Sequence, residues 1–182
     1  MAKALDNGHS WRVYHKDLTS GKNLLLDTNQ VEDIYSADID IVNSTVFDGG
    51  QGLTGSSLNN NIAYCFTSVE GYSSFGSYIG NVNADGPFVY TGFRPRFLLV
   101  KGYDIAVSWQ IYDSERNTFN LVDDELYPNL TDVENNQGVT GGFDFLSNGF
   151  KVRSVDSWLN SNNNNYIYAA FAERPFKYVR AQ

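Results

Sequence analysis

An all-β fold, an antiparallel β-sandwich of the jelly-roll or concanavalin-like kind, is predicted by three features of this sequence. Aromatic residues make up 15% of the 182 residues, with twelve Tyr and twelve Phe, and rings pack better on a pleated surface than in a helix, where they lose rotamer freedom. Sixteen Gly and many Asn punctuate the chain with turn signals at the spacing of short strands. Apolar positions alternate, and no window of a dozen residues holds them at helical spacing without a Gly or Asn interruption.

The elements follow in order. Trp11 and Val13 alternate in "SWRVYH", and Ile62, Tyr64 and Phe66 alternate in "NNNIAYCFTS", as half-buried strands do. Further strands are expected at Ser77–Ile79, Pro87–Thr91 and Arg96–Lys101, separated by "NADGP" and "TGFRP", whose Gly and Pro combinations form turns. In "GPFVYTGFRP" the side chains of Phe88 and Tyr90 should share one face and Val89 the other. A tight turn over Thr91–Pro95 should follow, with Gly92 relieving the backbone and Pro95 preventing a further ladder bond. Trp109 and Ile111 open another strand, and Ile167, Ala169 and Phe171 a last one. A single turn of helix is allowed near Val31–Tyr35 or Thr131–Asn135.

Several of these strands read as a repeat. "SWRVYH" matches "SWQIYD", "NQVED" matches "TDVEN", "STVFDG" matches "SNGFKV", and "NNNIAYCFTS" matches "NNNYIYAAFAE", in the same order and at an offset that widens along the chain. Two diverged repeats are therefore expected, an N-terminally incomplete one over 1–75 and a complete one over 76–182, forming one compact unit. Trp11 and Trp109 should then occupy equivalent buried places. The missing leading strands would leave an open edge near His9 and Trp11, and an open edge is a template for another chain. A homo-oligomer, a trimer by preference, is expected to cover it.

Composition narrows the partners. Thirteen basic against twenty-one acidic residues give a net charge of −8, which opposes nucleic acid and anionic membranes. No apolar run reaches the length of a membrane span or a signal peptide, which implies a soluble protein. The single cysteine, Cys65, excludes an internal disulfide and reads as a small packing residue, because its counterpart in the second copy is Ala170.

Catalytic chemistry finds little support. The two histidines, His9 and His15, stand near no nucleophile motif, and His15 reads as a surface residue. The acidic pairs in "DID" and "DDE" offer the carboxylates of a glycoside hydrolase but equally the solvated background of an acidic chain. Asp38, Asp40 and Asn43 offer oxygens to calcium without the ligand spacing of a dedicated loop. No metal and no cofactor is assigned. A ring beside amides and carboxylates suits a sugar, and on that ground Trp158 in "DSWLN", then Tyr103 in "KGYD", are the candidate contacts for a glycan or a protein partner.

The stretches "AYCFTSVEGYSSFGSYIGNVNADGPFVYTGFRPRFLLVK", "SWQIYDSERNTFN", "DFLSNGFKVR" and "NYIYAAFAERPFKY" resemble an uncharacterised domain family of virion proteins from tailed phages, marine and cyanobacterial ones especially. The resemblance covers nearly the whole chain. It implies a non-enzymatic structural protein at the particle surface, a tail-fibre or receptor-binding module or else a capsid decoration protein. The implied partners are other virion proteins and a host cell-surface glycan. It supplies no catalytic motif, so a glycan-degrading enzyme is the remaining alternative.

Overall fold

The computed structural model describes residues 1–6, 8–34, 45–46, 60–136 and 141–173. Their strands, in chain order, are β1 (Ala2–Ala4), β2 (Arg12–Val13), β3 (Leu24–Leu25), β4 (Asn61–Ala63), β5 (Ser73–Ile79), β6 (Phe88–Tyr90) and β7 (Pro95–Gly102). They continue with β8 (Gln110–Asp113), β9 (Asp124–Glu125), β10 (Asn135–Asn136), β11 (Phe143–Leu146), β12 (Gly149–Val152) and β13 (Asn165–Ala172). A single helix among the described residues, α1 (Ser157–Asn160), precedes β13. Every named strand pairing is antiparallel.

The middle layer is the four-stranded sheet β5-β13-β7-β8. Its strands read "SSFGSYI", "NYIYAAFA" and "PRFLLVKG", apolar on both faces rather than on one, as befits a sheet covered on both sides. On one face Tyr166, Tyr168, Ala170, Leu98, Val100, Tyr78 and Tyr112 meet Val89, Phe143, Phe145, Phe150 and Val152 of the sheet β11-β12-β6. That is the sandwich. Phe150 is its hub, with rings at 6.1 Å (Tyr78), 5.5 Å (Phe143) and 5.2 Å (Tyr168), all edge to face, the favourable arrangement for aromatic quadrupoles. Gly76 makes room for the Tyr168 ring: a Cβ there would stand 2.8 Å from the Tyr168 hydroxyl.

On the other face Ile167 and Leu99 meet a third layer, Val13 and Leu24 of the sheet β3-β2-β1-β4 and Leu18 of the connection between β2 and β3. Trp109, 2% exposed, fills the junction and donates its indole N–H to the Leu25 carbonyl at 2.8 Å. This layer is thin. It contributes strands of two or three residues.

The expected strand at "GPFVYTGFRP" is β6, with Phe88 and Tyr90 exposed and Val89 buried. The chain turns after it, Gly92 taking φ 84° and both Thr91 and Gly92 donating to the Asn148 carbonyl. Pro95 differs from expectation, because it opens β7 and pairs with Ala172 across an irregularity in the ladder.

Other expectations are corrected. Ala2–Ala4 is hydrogen-bonded on both sides, to β2 and to β4, so the edge expected near His9 and Trp11 is filled from within the chain. Trp11 is half-buried rather than buried; its ring stacks on Tyr64 at 5.9 Å, and Lys3 Nζ stands 5.8 Å from its centroid. No helical turn forms at Val31–Ile34, where Asp33 bridges Asn23, nor at Thr131–Asn135, which ends in β10. The repeat boundary expected after residue 75 falls inside β5. The matched Glu32 and Glu134 have different settings: Glu32 is buried and accepts from the Thr19 N–H, while Glu134 is exposed and paired with Arg116. Phe47 of the third match, Tyr35, and the acidic residues of "DID" lie outside the described residues.

Candidate functional site

Asp156 begins the site. Its backbone is extended and its carboxylate accepts the Trp158 N–H at 2.9 Å, the N-cap role that satisfies a free amide of the first helical turn. The turn it starts buries Leu159 and Asn160 and leaves Trp158 43% exposed. Asn160 locks the turn in place. Its amide donates to the carbonyls of Ser154 (2.6 Å) and Asn83 (2.9 Å), and its own oxygen accepts the Asn81 N–H at 2.7 Å.

Trp158 therefore stands on a rigid support. The ring of Tyr127 meets it edge to face at 6.1 Å, and the Tyr127 hydroxyl donates to Glu125. Glu125 is fully buried and takes three further donors, Tyr112 Oη at 2.9 Å, Asn135 Nδ2 at 3.2 Å and Gln110 Nε2 at 3.4 Å. Burial first, then the neighbouring Glu125 carboxylate, hold the Tyr112 and Tyr127 phenols well above their ordinary range. Both stay protonated donors. Gln110, 1% exposed, has no partner for its Oε1 among the described residues, and it lines a narrow recess with Glu125, Asp156 and Trp158. The recess is tight, so a ligand would lie across the exposed Trp158 face, with Asp156 and Ser157 at its border.

Chemically this is a platform. A carboxylate whose oxygens accept from four side chains is committed to holding Tyr127 and Tyr112, whereas a general acid needs an oxygen that reaches substrate. Tyr127 and Gln110 escaped the sequence reading, and Glu125 entered it only as one of the acids of "DDE". The signal was present: Glu125 and Tyr127, like Gln110 and Tyr112, stand two apart in extended chain and so share a face.

Tyr103 does not join Trp158. It packs beside the Trp109 and Ile167 cluster on the third-layer side of the middle sheet, with its amide on the Asn165 carbonyl (3.0 Å) and its carbonyl accepting from Glu32 (2.7 Å). Partial burial pushes its phenol up. His9 is exposed, close in sequence to Trp11 but on a segment already anchored by β1.

Two other readings are corrected. Cys65 is exposed rather than packed, because the chain leaves regular pairing after Ala63. His15 is 9% exposed, a buried residue rather than a surface one, because the third layer folds it against the middle sheet. Among the described residues no three His, Cys, Asp or Glu side chains gather as a metal site. Asp38, Asp40 and Asn43 lie outside the described residues.

The fold and this platform define an antiparallel β-sandwich protein with a third, small sheet on its outer face. The chain belongs to the family described as a domain of unknown function, DUF7483, whose model matches residues 1–175. No curated protein and no solved structure matches it.

Proposed function

We propose that this chain is a non-enzymatic surface module of a tailed-phage virion that holds a host cell-surface glycan against Trp158. The observation that carries the reading is an indole 43% exposed on a support fixed by Asp156, Leu159, Asn160 and the Tyr127 ring. A flat ring held still stacks on a sugar face with little loss of entropy on binding. The resemblance to phage virion proteins in "GPFVYTGFRP" and its neighbours supplies the setting, and the net charge of −8 suits a surface that avoids nucleic acid. The test is a glycan array followed by titration of the strongest hit. Trp158→Ala should abolish the signal while Tyr103→Ala leaves it intact, and an array signal indifferent to Trp158 defeats the reading.

A second observation favours a decoration or assembly role, as a trimer or against another virion protein. Tyr64, Phe66 and Tyr72 are 48%, 54% and 41% exposed, and Phe66 and Tyr72 share a contact with Phe171. Exposed aromatic clusters of this kind mark contact surfaces. Copy number in purified particles separates the roles: many copies fit decoration, few fit a tail appendage. A fall in polysaccharide viscosity on incubation would favour the enzyme instead.

A further inference from the structure

Between the third layer and the middle sheet lies a cavity of about 1020 Å³, at the upper end of the roughly 300–1,000 Å³ of small-molecule sites. Its floor is buried: Val13, Trp109 and Ile167 are 8%, 2% and 3% exposed. Its mouth is the exposed rim of Tyr64, Cys65 and Phe66. The walls are mostly apolar, with Lys16, Thr45, Thr67 and Ser68 among their polar members, and one buried polar group in them is unusual.

That group is His15. The Asp17 N–H donates to its Nδ1 at 3.2 Å, so in the neutral ring the proton sits on Nε2. Nε2 is buried and has no hydrogen-bond partner among the described residues. The Tyr168 backbone lies near the ring and favours its protonated form, but stands outside hydrogen-bond geometry for Nε2. Burial lowers the ring's proton affinity more than Asp17 raises it, which keeps the ring neutral near pH 7. A buried donor left unmet is costly and uncommon in a folded protein. An acceptor brought in by a ligand removes that cost.

We propose that this cavity binds a single-chain lipid with an uncharged oxygen headgroup, a fatty alcohol or fatty ester, its oxygen on His15 Nε2 and its chain along Val13, Leu99 and Ile167. The two cations of the lining are already engaged, Lys16 by Asp17 at 2.8 Å and the Met1 ammonium by the Tyr64 carbonyl at 2.9 Å, so a charged head beside the neutral imidazole keeps much of its desolvation penalty. A purely apolar ligand leaves Nε2 unmet. The inference is independent of the glycan reading, since Trp158 lies against Tyr127 and Gln110 on the opposite side of the middle sheet.

Trp109 in the floor gives the readout. In a protein carrying Trp11→Phe and Trp158→Phe, Trp109 is the remaining indole of the three, and a bromine on the ligand chain quenches it on contact. Titration with ω-bromoundecanol should give saturable quenching, and the matching bromoalkane without the hydroxyl should bind about threefold to tenfold more weakly, the worth of one hydrogen bond. His15→Phe should erase the difference between the two ligands, and Ala169→Phe, on the cavity wall, should weaken both. Where His15→Phe does not fold, the comparison of the two ligands on the protein that retains His15 decides alone. Absence of saturable quenching, equal affinity for alcohol and alkane, or full binding in Ala169→Phe would each overturn the proposal.

Discussion

The two faces of the middle sheet are made by the same strands and end in opposite states of packing. Tyr166, Tyr168 and Ala170 of β13 enter a dense aromatic core against β11, β12 and β6, while Ile167, Ala169 and Phe171 face a sparse third layer with a cavity beneath it. Length explains much of the difference. The inner cover pairs strands of four residues in a hairpin closed by Ser147 and Asn148; the outer cover offers strands of two or three residues, too short to lay a continuous row of side chains over the sheet. One face is built to hold the fold together, and the other leaves space.

Substitutions on the two faces should therefore differ in magnitude. Phe150→Ala, at the hub of the inner core, is expected to lower unfolding stability by about 3–5 kcal/mol in urea titration, because its three aromatic neighbours cannot collapse into the gap. Ile167→Ala should lose only about 2 kcal/mol, the low end for such a truncation, since its side chain already borders empty space. Equal losses at the two positions would erase the contrast between the faces.

Lys101 sharpens it further. It is fully buried on the outer side, donating to the Gly102 carbonyl at 2.6 Å and to the Asn29 carbonyl at 3.5 Å, and burial brings it down to about 8 from its ordinary 10.5. Below pH 8 both folded and unfolded chains carry this proton; above it the folded chain releases the proton while the unfolded chain retains it up to about 10.5. Stability should accordingly rise between pH 8 and 10, by about 2 kcal/mol for a single proton over that span. Above pH 10 the rise should reverse, as the unfolded chain begins to ionise the tyrosines that folding holds protonated at Tyr78, Tyr112 and Tyr127. Lys101→Met should flatten the ascending limb, and an ascending limb unchanged in that variant would assign it to another group.

The smallest effect is expected at the platform. Trp158→Ala removes a ring that is 43% exposed and should change stability by less than about 1 kcal/mol, as measured by thermal melting. A larger loss would mean that Trp158 serves the fold rather than a ligand.

The inner face was the legible one. Alternation in "FVYTGF" and "FDFLSNGFKV" and the turn residues between them report local geometry, and local geometry decides a hairpin. The outer face was not, because its layer joins residues far apart in the chain: Ala2 to Ala63, Trp109 to Leu25. Composition near His15 and Cys65 says nothing of such partners, and both residues ended on the opposite side of the burial boundary from their expectation. At the site, Trp158 was readable as an exposed ring on a polar turn. Its support was not, since Tyr127 and Glu125 reach it across tertiary space, and Asn160, whose side chain fixes the turn on the backbone of Asn81, Asn83 and Ser154, looks in sequence like an ordinary loop residue.

The position of β13 sets the order in which this protein folds. It pairs with β5 on one side, Tyr166 opposite Tyr78, and with β7 on the other, Tyr166 opposite Gly102, yet it is translated after both. While the ribosome is still adding residues between β7 and β13, the nascent chain holds two long apolar strands whose facing edges have no partner. Contacts of such sequence separation form slowly, on millisecond to second timescales in β-rich domains. The middle layer therefore closes after synthesis of β13, and folding in the cell is expected to be a late, concerted event in which exposed strand edges are held by chaperones until the last strand arrives.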